Sequence, residues 1–195
     1  MSTISLKSKQ KYGTLLAGNE AYLPSYESIA TVIVGSGGQS SVSFTSIPTT
    51  YTHLQIRGIV RKAFSSGTTA LKANFNSDTG MNYTNHQLYG NGSSAGADGN
   101  ATGTYSNMPY FAIATQQSDT AYGAFVVDIL DYRNTNKYKT IRSLAGYETN
   151  SVGFINLASS LWLSTSAITS ITLATYASGN IDQYSKFALY GLRSA

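Results

Sequence analysis

The sequence predicts an all-β fold: an antiparallel β-sandwich, jelly-roll-like, preceded by an extended N-terminal arm. Three observations carry this prediction. Short segments in which apolar and polar residues alternate follow one another along the chain, separated by turns rich in Gly, Asn and Ser. Tyr, a residue that favours strands, occurs 15 times. Charged residues make up only 11% of the 195 residues, and no segment has the sustained 3.6-residue period of an amphipathic helix.

The first 26 residues differ from the rest, so we divide the chain into an arm (1–26) and a sandwich domain (27–195). The arm has no sustained period of 2 or 3.6 residues. Its three alternating lysines would point to one side of an extended chain, and a pair of leucines follows them as an apolar anchor. We expect the arm to dock on a neighbouring protein, the alternative being that it packs on its own domain. The predicted docking residues are Lys7, Lys9, Lys11, Tyr12, Leu15 and Leu16.

Strand signals begin after the arm. The first strand ends at the glycine-rich turn 35–38, and the second ends before Pro48. The third has apolar residues on one face and Gln55 and Arg57 on the other. The clearest hairpin joins two strands through a turn at Tyr132–Lys137. Residues 157–163 could also form one short helical turn. The predicted strands are 29–34, 42–44, 54–60, 71–75, 86–89, 110–114, 124–130, 139–147, 155–163, 168–176 and 184–192.

The longest stretch of low complexity is residues 90–103, which contains five Gly and no large side chain. Such a stretch cannot form core, so we predict an exposed loop, and long exposed loops often carry function. Tyrosines flank it, and Tyr favours interfaces and sugar faces. The alternative is that these tyrosines fill half-buried strand positions. The candidate residues of this exposed binding loop are Tyr83, Tyr89, Asn91, Tyr105 and Tyr110.

The composition argues against several classes of function. The chain has no Cys, which excludes disulfides and thiolate metal sites. The net charge of +4 comes without the dense basic stripe of a nucleic-acid-binding protein. No apolar run approaches the ~20 residues of a membrane span, and the N-terminus lacks the apolar segment of a secretory signal. We therefore expect a protein made inside a cell and bound into an assembly.

No group of residues indicates catalysis. His53 and His86 are the only imidazoles, and neither lies in a motif that supplies a partner. Asp128 and Asp131 are three residues apart and face opposite sides of a strand, so we expect them, with Glu148, to form cross-strand ion pairs. The sequence thus predicts a protein that is not an enzyme and that holds neither a metal nor a cofactor.

Several segments, taken together in their order and spacing, resemble a family of small virion structural proteins of tailed bacteriophages, common in aquatic phages. The resemblance covers residues 27–193. The segments that carry it are Phe75-Asn-Ser-Asp78, Asn82-Tyr83, Leu88-Tyr-Gly-Asn-Gly-Ser-Ser94, Leu161-Trp162, Ala167-Ile-Thr-Ser-Ile-Thr-Leu173, Gln183-Tyr-Ser185 and Ala188-Leu-Tyr-Gly-Leu192.

This resemblance implies a jelly-roll-like sandwich on the exterior of a phage particle, with no catalytic residues to carry over. We expect a capsid decoration (cement) protein, made in the host cytoplasm, that docks on the major capsid protein and forms a homo-oligomer, with a trimer favoured. The alternative is a tail or tail-fibre component that contacts other tail proteins or binds a host glycan. Copy number per particle separates the two.

Overall fold

The computed structural model describes residues 25–63, 68–113, 120–149, 152–176 and 179–193, and every regular element within them is a β-strand. The predicted docking residues Lys7, Lys9, Lys11, Tyr12, Leu15 and Leu16 lie outside the described residues. The strands are β1 (Tyr26–Ile33), β2 (Ser41–Phe44), β3 (His53–Val60), β4 (Lys62–Ala63), β5 (Thr68–Phe75), β6 (Tyr83–Gly90), β7 (Ala95–Gly103), β8 (Ser106–Ile113), β9 (Gly123–Leu130), β10 (Lys139–Glu148), β11 (Gly153–Trp162), β12 (Ile171–Thr175), β13 (Asn180–Ile181) and β14 (Lys186–Leu192).

The strands form two main antiparallel sheets. The larger has eight strands in the order β1-β14-β3-β9-β10-β11-β6-β7, and the smaller has four in the order β2-β12-β5-β8. A short ladder joins β4 to β13. The predicted hairpin of β9 and β10 is confirmed, and so are the all-β class and the antiparallel sheets.

The hydrophobic core contains residues from both main sheets in one continuous cluster. In the large sheet, Ile56 and Val127 lie side by side on adjacent strands and are buried. In the small sheet, Leu173 lies beside Ala73 and is likewise buried. Because side chains alternate between the faces of a strand, each sheet turns one face towards this core. The arrangement is consistent with a β-sandwich.

An aromatic cluster at one end of this core brings together segments distant in the sequence. The rings of Phe75, Tyr83 and Trp162 have centroids 5.6–6.5 Å apart. Tyr83 is fully buried, and its hydroxyl donates to the backbone oxygen of Asp78. The expectation that Tyr83 belongs to an exposed binding loop is therefore wrong, because its ring fills the core between the sheets.

The predicted loop at residues 90–103 is also corrected. Its larger, C-terminal part is strand β7, which pairs with β6. A tight turn connects the two strands and is closed by a hydrogen bond from the Asn91 amide to the Ser94 carbonyl. Backbone pairing needs no large side chain, so a Gly- and Ala-rich segment can form an edge strand. The expected exposure is confirmed, since most of β7 is exposed. Residues 157–163, for which a helical turn was considered, belong almost entirely to β11.

Candidate functional site

The outer face of the large sheet, the face turned away from the core, is the most distinctive surface of the described residues. Register places its side chains in rows that run across the strands. One row is polar, and the next two are mostly apolar. The polar row consists of Gln55, Asp128, Arg142, Ser159 and His86.

The polar row is held by hydrogen bonds between neighbouring strands. Asp128 accepts one at 2.7 Å from the Gln55 amide and one at 2.8 Å from the Arg142 guanidinium. Tyr26 donates its hydroxyl to Gln55, which also accepts from Arg57. Burial acts to raise the pKa of Asp128, but the hydrogen bonds from Arg142 and Gln55 outweigh it and hold the pKa below its ordinary value. The carboxylate is thus charged and paired, as the expected cross-strand ion pair requires.

The first apolar row lies next to the polar one and crosses five strands. Its members are paired in register and are Val126, Leu144, Leu157, Leu88 and Ala97, from β9, β10, β11, β6 and β7. The three leucines are 45–60% exposed. They lie side by side on adjacent strands, so the three side chains form one continuous apolar surface.

The second apolar row contains small residues around one large one. Ile155 lies between Gly146 and Gly90 on the two adjacent strands and is 60% exposed. Neither glycine has a side chain to cover it, so Ile155 projects from the sheet between two positions without side chains. Ala124 and Ala95 continue the row on either side. We name the two rows together the apolar patch: Val126, Leu144, Leu157, Leu88, Ala97, Ala124, Ile155 and Ala95.

Tyr83, Tyr89 and Tyr105, three of the tyrosines predicted as a binding cluster, contact different neighbours. Tyr89 stacks on Phe154, with ring centroids 5.6 Å apart, and its ring covers Gly96. Tyr105 instead makes an edge contact with Tyr176, and Tyr110 belongs to β8. Asn91 shapes the turn between β6 and β7, since its side-chain oxygen accepts from the amides of residues 93 and 94.

The remaining candidates for chemistry have structural partners. His53 Nδ1 accepts from the Asp131 amide at 2.9 Å, and the carboxylate of Asp131 pairs with Lys137. His86 lies over Gly99 on the outer face. Glu148 lies at the end of β10, next to the apolar patch. Among the described residues, no three His, Asp or Glu side chains are placed to hold a metal ion.

Among the described residues three cations are buried, Arg61, Lys62 and Lys139, and none was identified from the sequence. Lys139 is fully buried and donates to the backbone oxygens of Asn134, Lys137 and Thr165 at 2.6–3.1 Å. Desolvation lowers the pKa of Lys139. Arg61 pairs with Asp182 and lies over the ring of Tyr122 at 4.9 Å. Lys139 and Arg61 each join a loop to the sandwich.

A small polar pocket lies beneath β6 and β7, lined by Asn85, Gln87, Asp98, Asn100 and Asn107 among others. Its volume of about 30 Å³ is enough for a water molecule. The side-chain oxygen of Asn107 is buried and without a hydrogen-bond partner from the described residues. This pocket is too small for a substrate or an organic cofactor.

Comparison of the chain with protein-family models, with characterised proteins and with solved structures finds no match. Within the described residues there is also no helix with the length and hydropathy that crossing a membrane requires.

The sequence does contain a signal for the apolar patch. Residues 124–130 and 141–147 have apolar residues on both faces of the strand, and not only at alternate positions. A strand that is apolar on both faces is usually covered on both. Which face is left open depends on how much of the large sheet the smaller one covers, and the sequence does not show that.

Proposed function

We propose that this chain is a non-enzymatic structural component of a tailed-phage virion, most simply an external capsid decoration protein. In this proposal its jelly-roll-like sandwich is attached through the extended N-terminal arm, and the outer face of the large sheet rests on a neighbouring shell subunit. The apolar patch is the observation that carries the proposal. The family resemblance of residues 27–193 supports it.

Exposed aliphatic side chains on adjacent strands favour a protein partner. Leu144, Leu157, Leu88 and Ile155 are each about half exposed and lie in one continuous area. Covering the exposed half of one such side chain contributes about 1 kcal/mol, and a patch of this kind usually marks an interaction site. The polar row beside it gives the surface the apolar centre and polar rim of a protein interface.

The shape of this surface favours a protein over a small molecule. Small-molecule sites are usually concave and bury most of the ligand, with a few polar groups converging on it. The apolar patch is a shallow surface, and two of its charged neighbours, Asp128 and Arg142, are already paired with each other. A broad partner surface can cover the patch and leave this ion pair at the rim.

A tail or tail-fibre location remains the alternative for the same structural role. A glycan-binding role for the tyrosines has less support, since Tyr83 is buried and the ring of Tyr89 is against Gly96. Quantifying the protein in purified particles decides between the locations, because decoration requires hundreds of copies and a tail position a dozen or fewer.

The docking surfaces are tested by rebinding to particles from which the protein has been stripped. Leu157→Glu places a charge in the centre of the apolar patch and should abolish rebinding while the fold is retained. Ile33→Glu is the matched control, because Ile33 is 63% exposed at the opposite edge of the same sheet. A chain lacking residues 1–24 tests the arm in the same assay. Full rebinding by Leu157→Glu and by the truncated chain would contradict the proposal.

A further inference from the structure

Strand β7 forms an open edge of the large sheet. It is nine residues long and, among the residues that the structure describes, it pairs on one side only, with β6. The hydrogen bond between Asn91 and Ser94 closes the hairpin. By the alternation of an antiparallel ladder, the N–H and C=O groups of Ala95, Ala97 and Gly99 then point away from β6. These groups form a row of donors and acceptors that do not bond to β6, and of them the Gly99 amide bonds locally to Asp98.

Over residues 95–100 this edge lacks the features that usually prevent strand pairing. Lysines, prolines and bulges that twist an edge away are the common protections. β7 has neither Lys nor Pro, and its only charged residue is Asp98. The opposite edge, β1, carries Glu27 and a bulge between Ser28 and Ala30. The register shift of β7 lies near its end, opposite Tyr83–Asn85, so residues 95–100 run regularly.

We propose that β7 pairs with β7 of a second copy of this chain, antiparallel and about a twofold axis at Gly99. The two eight-stranded sheets then become one continuous sheet of sixteen strands. In this register Ala97 lies opposite the partner's Ala101, and Asp98 lies opposite the partner's Asn100. A twofold axis at Asp98 would instead set two carboxylates against each other, which is unfavourable.

Two features of β7 fit this partner. The side chains of Ala95, Ala97 and Ala101 are small, so the two edges can approach without steric conflict. The amide of Gly99 is held in the single chain by Asp98 Oδ1 at 2.7 Å. A carbonyl of the second copy would replace this local bond, and the carboxylate would then be free to accept from the partner's Asn100 amide.

The position of the apolar patch adds a second reason. Its first row runs from Val126 to Ala97, the residue at the edge itself. Pairing through β7 therefore brings the patches of two copies side by side on one face and doubles the apolar area offered to a third protein. This inference goes beyond the proposed virion role, because it concerns the purified chain alone.

The test is light scattering coupled to size-exclusion chromatography, on the full chain, from about 5 to about 500 µM. The wild-type chain should reach the mass of a dimer as its concentration rises. Asn100→Asp places a carboxylate opposite the partner's Asp98 on both sides of the axis and should weaken association about tenfold or more. Asn136→Asp, the same change in the exposed turn between β9 and β10, should have no effect.

The double variant Asp98→Asn, Asn100→Asp exchanges the two groups and should restore the dimer. Circular dichroism checks that each variant keeps its β-sheet signal. A wild-type chain that stays monomeric throughout, or that forms a trimer, would overturn the inference. So would a dimer that Asn100→Asp leaves intact, since another surface, such as the apolar patch, would then hold it. None of these outcomes depends on binding to a virion.

Discussion

The indole N–H of Trp162 donates a 2.8 Å hydrogen bond to a carboxylate oxygen of Asp78, a residue 84 positions earlier in the chain. The other carboxylate oxygen of Asp78 accepts from the amide of Gly80 and the side chain of Asn82. One carboxylate thus joins the turn after β5 to the end of β11. Three of the segments that carry the family resemblance meet at this point, where they hold the turn after β5 against the end of β11.

Removing this carboxylate should destabilise the sandwich in a pH-dependent way. The hydrogen bond from Trp162 holds the pKa of Asp78 below its ordinary value. A carboxyl group with a lowered pKa stabilises the fold fully above its unfolded pKa and loses this effect as the pH falls through the folded one. We expect Asp78→Ala to cost about 2 kcal/mol at neutral pH.

Urea unfolding of the wild type and Asp78→Ala, at about pH 7 and about pH 3, measures this effect. The difference in unfolding free energy should be largest at neutral pH and should narrow in acid. Asp98→Ala is the control, because Asp98 is exposed and, within the part of the chain that the structure describes, its carboxylate accepts only from the adjacent Gly99 amide. If Asp78→Ala lowers the unfolding free energy by the same amount at both pH values, the charge of Asp78 does not contribute to the stability of the fold.

Lys139 should contribute strongly to the stability of the fold, although it is not part of the apolar patch. Its ammonium group saturates three backbone carbonyls in the buried space between two turns. Lys139→Met keeps the length of the side chain but leaves these carbonyls without a donor, and we expect a cost of about 2–4 kcal/mol. Lys137→Met, an exposed position two residues away, should cost less than about 1 kcal/mol. Thermal unfolding of the two variants gives the comparison, and equal melting temperatures would contradict it.

Gly191 should not tolerate a side chain. A Cβ atom built there would overlap the ring of Tyr51, and the guanidinium of Arg193 lies over that ring, 4.5 Å from its centroid. Gly191→Ala therefore forces the ring out of place, at about 1–3 kcal/mol. Gly35→Ala is the matched control, because nothing lies within 4 Å of its Cβ position. Denaturant midpoints that fall equally for both variants would disprove the close contact.

The apolar patch should bind an apolar dye when no partner covers it. Leu144→Thr and Leu157→Thr introduce β-branched, strand-compatible side chains while removing exposed aliphatic surface. We expect the double variant to lose most fluorescence enhancement of anilinonaphthalene sulfonate with its melting temperature nearly unchanged. Unchanged dye fluorescence in the double variant would contradict this prediction, because the dye would then bind to another surface of the protein.

Short-range patterns were enough to predict much of this fold. The alternation in residues 54–60 and 139–147 and the turn at Tyr132–Lys137 specify strands and a hairpin, because such signals arise between near neighbours in the chain. The pattern failed for β7, since its small residues carry no alternation and its strand conformation depends on pairing with β6. It also failed for Tyr83, whose burial depends on Phe75 and Trp162.

The sequence by itself determined the all-β class, most of the strands and the absence of thiol chemistry, because these follow from composition and local periodicity. Only the tertiary structure decided which strands are neighbours, and therefore which side chains share a row. Leu88 and Leu144 are 56 positions apart in the chain and belong to the same row because β11 lies between their strands. Surfaces built across strands depend on register, and register is set by long-range packing of the two sheets.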